Sequence, residues 1–282
     1  MKRVLSVQDL SCLGKCSLTV ALPVLSAMGC RCSVLPTAVL STHTGFPGPH
    51  VRSLTEDMMS TRQHWQTIGA EFDAISIGYL SDPAQAAAAE QLIDTFPSFV
   101  ILDPAMGDHG KLYSGITQEH VQAMGQLCRK ARLLLPNLTE AALLTGLPYR
   151  EIPDQGYLKE LAEKLLSMGP EAVVITGASL SPGKTGFYLA ARQENPFSYQ
   201  VPVIPKSFHG TGDLFSAVIT GGILTGLSTR DAAVLAAGFV EKCISSTREV
   251  TPFGVDFEAQ LPWLWQKMQS TPACTAGYCP GY

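Results

Sequence analysis

The sequence lacks any charge-free apolar run of about 18 residues, the length that a membrane-spanning helix needs. It also lacks an excess of basic residues, because 20 Lys and Arg stand against 24 Asp and Glu, for a formal net charge of -4. The basic residues are scattered along the chain and form no stripe. These absences exclude a membrane-spanning protein and argue against a nucleic-acid partner.

A secretory signal is missing at the N-terminus. Lys2 and Arg3 precede an apolar stretch, but Gln8, Asp9 and Lys15 interrupt it. Because a signal peptide needs an uninterrupted apolar core, we expect a cytoplasmic protein.

Cysteines with metal-binding or disulfide spacing are missing as well. The chain has 8 cysteines and no CxxC pair. This distribution is typical of small, reduced hydrophobic side chains in a cytoplasmic protein. Cys274 and Cys279 lie in a segment rich in Pro, Gly and Thr, and we predict that residues 271–282 form a disordered tail.

What is present is a large hydrophobic fraction, 46% of 282 residues, arranged as alternating strands and helices. Strands are predicted at 4–7, 32–40, 73–77, 99–102, 133–135 and 172–176. Helices are predicted between them at 17–28, 52–68, 83–93, 117–130 and 157–167. A hairpin, 185–191 with 197–203, and two helices, 211–225 and 229–246, follow. The repeated strand–helix–strand units predict one α/β domain over residues 1–270, with a mostly parallel central sheet and helices on both faces.

Polar residues follow most of the predicted strands. They are Asp9, residues 41–45, Gly78, Tyr79, residues 103–108, residues 137–140, Thr176, Gly177 and residues 210–213. Ligands of open α/β sheets bind outside the carboxyl ends of the strands. We therefore expect these polar residues to share one cleft.

The segment Gly210, Thr211, Gly212 and Asp213 opens an apolar helix. Its glycines let the backbone approach a ligand, and the free amides at a helix N-terminus attract anions. An Asp in this turn is placed to take a proton from an alcohol that attacks a phosphoryl group. The alternative is that Asp213 only caps the helix.

Hard oxygen ligands occur at two neighbouring strand ends, DPAMGD at 103–108 and NLTE at 137–140. Such side chains suit Mg²⁺, which bridges phosphate oxygens and keeps several waters. The first segment could also be an exposed turn, and the second a capping box in which Asn137 caps a helix and Glu140 reaches back. Capping and metal binding are compatible.

Residues 177–185, GASLSPGKT, imitate a P-loop. Five residues separate the two glycines where the motif has four, and the next segment has the pattern of a strand instead of a helix. We predict a hairpin turn at 181–184 and no P-loop.

Five segments in this order, LSTHTGF, DPAMGDHGKLY, LPNLTEAALLTG, VVITG and GTGDLFSA, resemble the pyridoxal kinases of the ribokinase superfamily. The resemblance extends over about residues 3–245. It implies a ribokinase-like fold and ATP-dependent phosphorylation of the primary 5'-hydroxyl of a B6 vitamer, in vitamin B6 salvage. It also implies Mg²⁺, a monovalent cation and a homodimer.

The resemblance further implies roles for single residues. Asp213 would be the catalytic base, beside an anion hole made by the amides of Gly210, Thr211 and Gly212. The residues that hold ATP and its Mg²⁺ would be Asp103, Asp108, Asn137, Glu140, Thr176, Gly177 and Thr211, with Asp108 and Glu140 in the metal shell. The vitamin ring would bind among Asp9, His43, Thr44 and Tyr79.

One residue departs from the family pattern, because Asp9 stands where many pyridoxal kinases carry a Ser. An anionic side chain in a ring pocket would favour a cationic substrate such as pyridoxamine, unless Asp9 is bonded to nearby groups and points away from the ligand. The alternatives for the whole chain are a hydroxymethylpyrimidine or other small-molecule kinase of the superfamily, and a non-catalytic B6-binding paralogue.

Overall fold

The structure, a computed structural model, describes residues 1–270, so the tail predicted at 271–282 lies outside the described residues. The strands are β1 (Arg3–Ser11), β2 (Arg31–Leu40), β3 (Val51–Ser53), β4 (Ala74–Ile77), β5 (Phe99–Leu102), β6 (Gly107–Asp108), β7 (Lys111–Leu112), β8 (Leu133–Leu134), β9 (Ala172–Thr176), β10 (Lys184–Ala191) and β11 (Phe197–Pro202). The helices are α1 (Leu18–Ala27), α2 (Thr55–Thr67), α3 (Ala84–Thr95), α4 (Gln118–Leu127), α5 (Leu138–Thr145), α6 (Gln155–Ser167), α7 (Thr211–Leu224), α8 (Thr229–Ser246) and α9 (Leu261–Ser270).

A sheet of 9 strands has the order β11-β10-β9-β8-β5-β4-β1-β2-β3. The strands from β9 to β2 in this order are parallel, whereas β3, β10 and β11 pair antiparallel. All residues of β4 are buried, as expected for a parallel strand covered on both faces. The predicted α/β domain with a mostly parallel sheet and a late hairpin is confirmed. The turn at 181–184 connects two strands, β9 and β10, and no helix follows it.

Helices cover both faces of the sheet and divide the core in two. Buried side chains of α2, α3, α4, α5 and α6 pack on one face. Those of α1, α7, α8 and α9 pack on the other, with Phe215 and Phe239 among them. Within residues 1–270, no helix combines the length and apolar character needed to cross a bilayer.

Several boundaries differ from the sequence predictions. The first strand runs on to Ser11 through a bulge between Gln8 and Leu10, so Asp9 lies within β1 and not after it. Helix α2 begins at Thr55, because residues 51–53 form the edge strand β3 against β2. The small hairpin β6–β7 and helix α9 were not predicted; each strand of the hairpin has 2 residues, which is too short to show an alternating pattern.

Candidate active site

One cavity of about 590 Å³ lies at the carboxyl ends of the parallel strands. It is lined by every residue to which the sequence assigns a site role: Asp9, His43, Thr44, Tyr79, Asp103, Asp108, Asn137, Glu140, Thr176, Gly177, Gly210, Thr211, Gly212 and Asp213. The structure therefore brings all of them together. Their individual roles stay predictions.

The N-terminus of α7 forms one wall of this cavity. Gly210 precedes the helix with φ 84°, and a Cβ at this position would lie 2.0 Å from the Lys15 carbonyl oxygen. Only glycine combines this left-handed conformation with so close an approach. The first amides of α7 have no earlier helical partner, so they are available to an anion in the cavity.

The Asp213 carboxylate stands in the first turn of α7. Among the described residues, no side chain caps this helix. Burial raises the pKa of Asp213 to about 6; the Ser17 amide opposes the rise, and the charge of Asp9 adds to it. A carboxylate with this pKa is still mostly ionised at neutral pH and is a stronger base than an exposed Asp.

A capping box joins β8 to the loop after β5. The side-chain oxygen of Asn137 accepts a hydrogen bond from the backbone N–H of Glu140 at 2.9 Å. In return, the Glu140 carboxylate accepts from the backbone N–H groups of Asn137 at 2.9 Å and of Met106 at 3.0 Å. The Asn137 amide group also donates to the Gly107 carbonyl at 2.8 Å. The capping role predicted for this segment is confirmed, and it fixes the loop that carries Asp103 and Asp108.

Buried carboxyl groups that interact with one another line this cavity. Burial and the neighbouring Asp213 raise the pKa of Asp103 to about 8, and burial and Asp103 raise the pKa of Glu140 well above its usual range. Like charges of this kind fit a bound cation. Across residues 1–270, no three His, Cys, Asp or Glu side chains converge as a metal cage. This arrangement fits Mg²⁺, which takes few protein ligands and keeps water and phosphate oxygens.

The predicted metal residue Asp108 lies at the rim. Its side chain is 54% exposed and accepts from the His109 amide at 2.8 Å. Glu140, in contrast, is 2% exposed, with an amide bonded to each of its oxygens. The two carboxylates thus face the cavity from different depths.

The residues predicted to form the ring pocket line the same cavity. His43 Nε2 is 2.7 Å from the Pro252 carbonyl oxygen, and its Nδ1 accepts from the Gly45 amide at 3.1 Å. These partners assign the proton to Nε2. The His43 ring lies against the ring of His209, with centroids 4.2 Å apart and planes tilted by 37°. Burial, and to a lesser extent the charge of Asp9, raise the pKa of Tyr79 to about 12, so this phenol stays neutral.

Asp9 is 3% exposed and lines the cavity. Its carboxylate accepts hydrogen bonds from the Ser11 hydroxyl at 2.8 Å and from the Ser17 hydroxyl. Burial raises the pKa of Asp9, and these two hydroxyls oppose the rise. Because a carboxylate has about four acceptor positions, Asp9 retains capacity for a ligand donor.

An apolar part of the cavity was missed by the sequence interpretation. It is lined by Val201, Val203, Ile204, Phe208, Ala237, Val240 and Ile244. These residues come from β11, the segment after it and α8. Their sequence signal is the same as that of core residues, so nothing local distinguishes a ligand wall from packing. Ser17, Cys16 and Tyr113 also line the cavity without having been singled out.

Comparison with known proteins gives matches over most of the chain. The phosphomethylpyrimidine kinase family model matches residues 21–254. A pyridoxine/pyridoxal/pyridoxamine kinase from Bordetella avium is 33% identical over 261 residues, which are 87% of this chain and 85% of the relative.

Two solved structures are similar over nearly their whole length. Pyridoxal kinase from Lactobacillus plantarum has a TM-score of 0.87 and 31% identity, covering 95% of this chain and 98% of its own. A Bacteroides thetaiotaomicron protein assigned to the phosphomethylpyrimidine kinases, crystallised with pyridoxal, has a TM-score of 0.88 and 36% identity, covering 95% of this chain and 96% of its own. The resemblance drawn from the motifs is confirmed: the chain belongs to the phosphomethylpyrimidine kinase family and, within the ribokinase superfamily, to its pyridoxal kinases.

Proposed function

We propose that this protein is an ATP-dependent kinase that phosphorylates the primary 5'-hydroxyl of a B6 vitamer. The observation that carries the proposal is the Asp213 carboxylate beside the free amides of α7, on the wall of a cavity of about 590 Å³. The cavity is lined by the aromatic and acidic side chains of Asp9, His43 and Tyr79 and by apolar side chains from β11, the segment after it and α8. A pyridine ring fits the first environment, and an adenine ring fits the second.

We assign a group of the cavity to each step of the transfer. The hydroxyl oxygen attacks the γ-phosphorus of ATP, the bond to the bridging oxygen breaks, and ADP leaves. Asp213 takes the hydroxyl proton, and the amides of Gly210, Thr211 and Gly212 stabilise the charge on the moving phosphoryl group. The phosphates would contact Asn137 and the other cavity residues Thr176, Gly177 and Thr211.

The proposal includes Mg²⁺, a monovalent cation, a homodimer and a cytoplasmic location, as the motif resemblance implies. The buried carboxyl groups of Asp103 and Glu140, which raise each other's pKa or that of a neighbour, and the rim carboxylate of Asp108 all line the cavity and support the magnesium site. Mg²⁺ would supply charge neutralisation at the phosphate oxygens. Asp103 and Glu140 would hold or orient it from inside the cavity, and Asp108 from the rim.

Asp9 is proposed to favour a cationic vitamer. Its buried carboxylate keeps free acceptor positions, and a protonated aminomethyl group would neutralise its charge. The kcat/KM ratio of pyridoxamine to pyridoxal should therefore fall in Asp9→Ser. Ser11→Ala, which removes a partner of Asp9 but no charge, is the matched control. An unchanged ratio in Asp9→Ser would show that Asp9 does not select the substrate.

A coupled assay for ATP consumption tests the function. The alcohols are pyridoxal, pyridoxamine, pyridoxine and hydroxymethylpyrimidine, each with the wild type and with Asp213→Asn. We expect turnover of at least one B6 vitamer. Turnover of hydroxymethylpyrimidine alone would favour a second candidate function, that of a hydroxymethylpyrimidine kinase. The match to the phosphomethylpyrimidine kinase model supports this candidate. Binding of a vitamer without ATP consumption would identify a non-catalytic paralogue.

A further inference from the structure

The side chain of Gln85 is buried at the start of helix α3, where it is 0% exposed. Glutamine is mostly exposed in proteins, so its burial depends on the hydrogen bonds that its amide group makes. The amide nitrogen donates to the Thr37 carbonyl oxygen at 2.6 Å and to the Ser53 hydroxyl at 3.1 Å. The amide oxygen accepts from the backbone N–H of Ser81 at 2.9 Å. Both hydrogens of the amide nitrogen and its oxygen are therefore in use.

These bonds connect the edge of the sheet to the segment after β4. Thr37 lies in β2, Ser53 lies in the edge strand β3, and Ser81 follows β4. Strand β1 lies between β4 and β2, so β2 and the segment after β4 are not paired in the sheet. The side chain of Gln85 makes the connection instead.

The same segment carries Tyr79 to the wall of the cavity. The buried Thr37 hydroxyl donates to the Tyr79 carbonyl oxygen at 2.9 Å. His120 Nδ1 accepts from the Thr117 N–H at 3.1 Å, so Nε2 carries the proton and donates to the Ser81 carbonyl oxygen at 3.3 Å. The backbone of residues 79–81 is thus held at two carbonyls and one N–H, and Gln85 or Thr37 makes two of these three bonds.

We propose that Gln85 and Thr37 are positioning residues, which hold the backbone of residues 79–81 so that the Tyr79 ring stays against the bound vitamer. This inference rests on the proposed function, because Tyr79 must contact the vitamer. Most residues predicted to hold ATP follow β5, β8 and β9, which lie on the opposite side of β4 from β2. Loosening of residues 79–81 should therefore weaken vitamer binding and leave ATP binding unchanged.

Four substitutions separate the hydrogen bonds from packing. Gln85→Met keeps an unbranched side chain of similar length and removes all three bonds. Thr37→Val keeps the volume of the side chain and removes the hydroxyl, whereas Thr37→Ser keeps the hydroxyl and removes a methyl group. Gln91→Met, at an exposed position of the same helix α3, is the matched control that should leave the kinetics unchanged. Each variant is compared with the wild type by melting temperature, by kcat, and by KM for the vitamer and for ATP.

We expect Gln85→Met and Thr37→Val each to raise KM for the vitamer about three- to tenfold, the scale of one net hydrogen bond, with KM for ATP unchanged. Thr37→Ser should keep the wild-type KM for the vitamer, because its hydroxyl can still donate to the Tyr79 carbonyl. Its melting temperature should nevertheless fall, since it loses a buried methyl group. A role confined to stability would lower the melting temperature of Gln85→Met and Thr37→Val without moving KM for the vitamer.

A double-mutant cycle tests whether Gln85 acts through Tyr79. Tyr79→Ala should by itself raise KM for the vitamer, because it removes the ring that contacts the substrate. Gln85→Met should then add no further rise in the Tyr79→Ala background, since the group that it positions is gone.

Three results would overturn the proposal. The first is an unchanged KM for the vitamer in either Gln85→Met or Thr37→Val, and the second is an equal rise of KM for the vitamer and for ATP. The third is an additive effect of Gln85→Met in the Tyr79→Ala background. If Gln85→Met does not fold, Thr37→Val and Thr37→Ser provide the same comparison, with Thr37→Val taking its place in the cycle.

The two proposals fail differently in this experiment. A wild type that consumes no ATP with any of the four alcohols rejects the proposed function, and the role of Gln85 and Thr37 falls with it. An active wild type whose Gln85 and Thr37 variants keep its KM for the vitamer rejects the positioning role alone.

Discussion

Three glycines provide a test of how the N-terminus of α7 is built. Gly210 has φ 84°, and an added Cβ would lie 2.0 Å from the Lys15 carbonyl oxygen. Gly226 follows the other end of α7 with φ 100°, and an added Cβ there meets nothing within 4 Å. Gly212 lies inside the first turn, lines the cavity, and has open space at its Cβ position. Substitution by Ala therefore tests three effects separately. Gly226→Ala tests the left-handed conformation alone, Gly210→Ala adds a steric collision, and Gly212→Ala places a methyl group in the cavity.

The magnitudes follow from these environments. Gly226→Ala introduces only the left-handed conformation, at about 1–2 kcal/mol. Gly210→Ala adds a collision between two backbones, which costs about 1–3 kcal/mol more. At about 2 °C per kcal/mol for a chain of this size, the melting temperature should fall by about 2–4 °C and about 4–10 °C, respectively. Gly212→Ala should cost no stability, because Ala is favoured over Gly in a helix by up to about 1 kcal/mol.

Activity should follow a different order from stability. Helix α7 has 14 residues and is therefore about 21 Å long, at 1.5 Å rise per residue. Because Gly226 follows the far end of this helix, Gly226→Ala should keep the wild-type kcat. Gly212→Ala should lose at least about tenfold in kcat, because its Cβ stands beside the amides proposed to receive the phosphoryl group. Gly210→Ala should lose both stability and activity. Calorimetry measures the stability of each variant, and the coupled ATP assay measures its kcat.

Two results would refute this reasoning. One is a Gly210→Ala variant as stable as Gly226→Ala, which would mean that the Lys15 carbonyl does not confine Gly210. The other is a fully active Gly212→Ala variant, which would remove the anion hole from the first turn of α7.

Asp213→Asn should still bind ATP and lose roughly two or more orders of magnitude in kcat, the scale of general-base catalysis; an unchanged kcat would contradict the role of the base. In the wild type, kcat/KM should fall as the pH drops through about 6, because Asp213 with a pKa raised to about 6 becomes protonated; a pH-independent kcat/KM would argue against this. The melting temperature of the nucleotide-free protein should rise as the pH is lowered from about 8 to about 6. The reason is that Asp103, with its pKa raised to about 8, binds its proton more tightly in the folded state than in the unfolded state. The rise in melting temperature should be smaller in Asp103→Asn. Mg²⁺ with ADP should raise the melting temperature more than ADP alone, and equal shifts would count against magnesium roles for Asp108 and Glu140.

Local chemistry explains which parts of the fold were predictable. The box of Asn137 and Glu140 is a four-residue pattern that satisfies its own helix start, so it is visible without tertiary information. Buried runs such as residues 74–77 and 172–176 are typical of parallel strands. The glycines at 210 and 212 signal close backbone approach wherever the chain folds. These signals together predict the sheet, its ligand-binding edge and most of the polar residues on it.

Remote pairing explains the structural features that were missed. Residues 51–53 are exposed and have no apolar alternation of their own, and they form β3 only because β2 offers them an edge. The extension of β1 through Asp9 likewise depends on its partner β2. The apolar side chains of α8 that face the cavity are indistinguishable in sequence from those that face the core.

The sequence by itself determined the α/β class, the order of the cavity loops and the glycine-flanked carboxylate, because caps, turns and helix starts depend on neighbours in the chain. Only the tertiary structure decided how acidic these carboxylates are and what holds them. The pKa of Asp213 depends on burial, on the Ser17 amide and on the charge of Asp9, and both residues belong to other parts of the chain. Charge, burial and distance between remote elements exist only once the sheet has brought β1, α1 and α7 together.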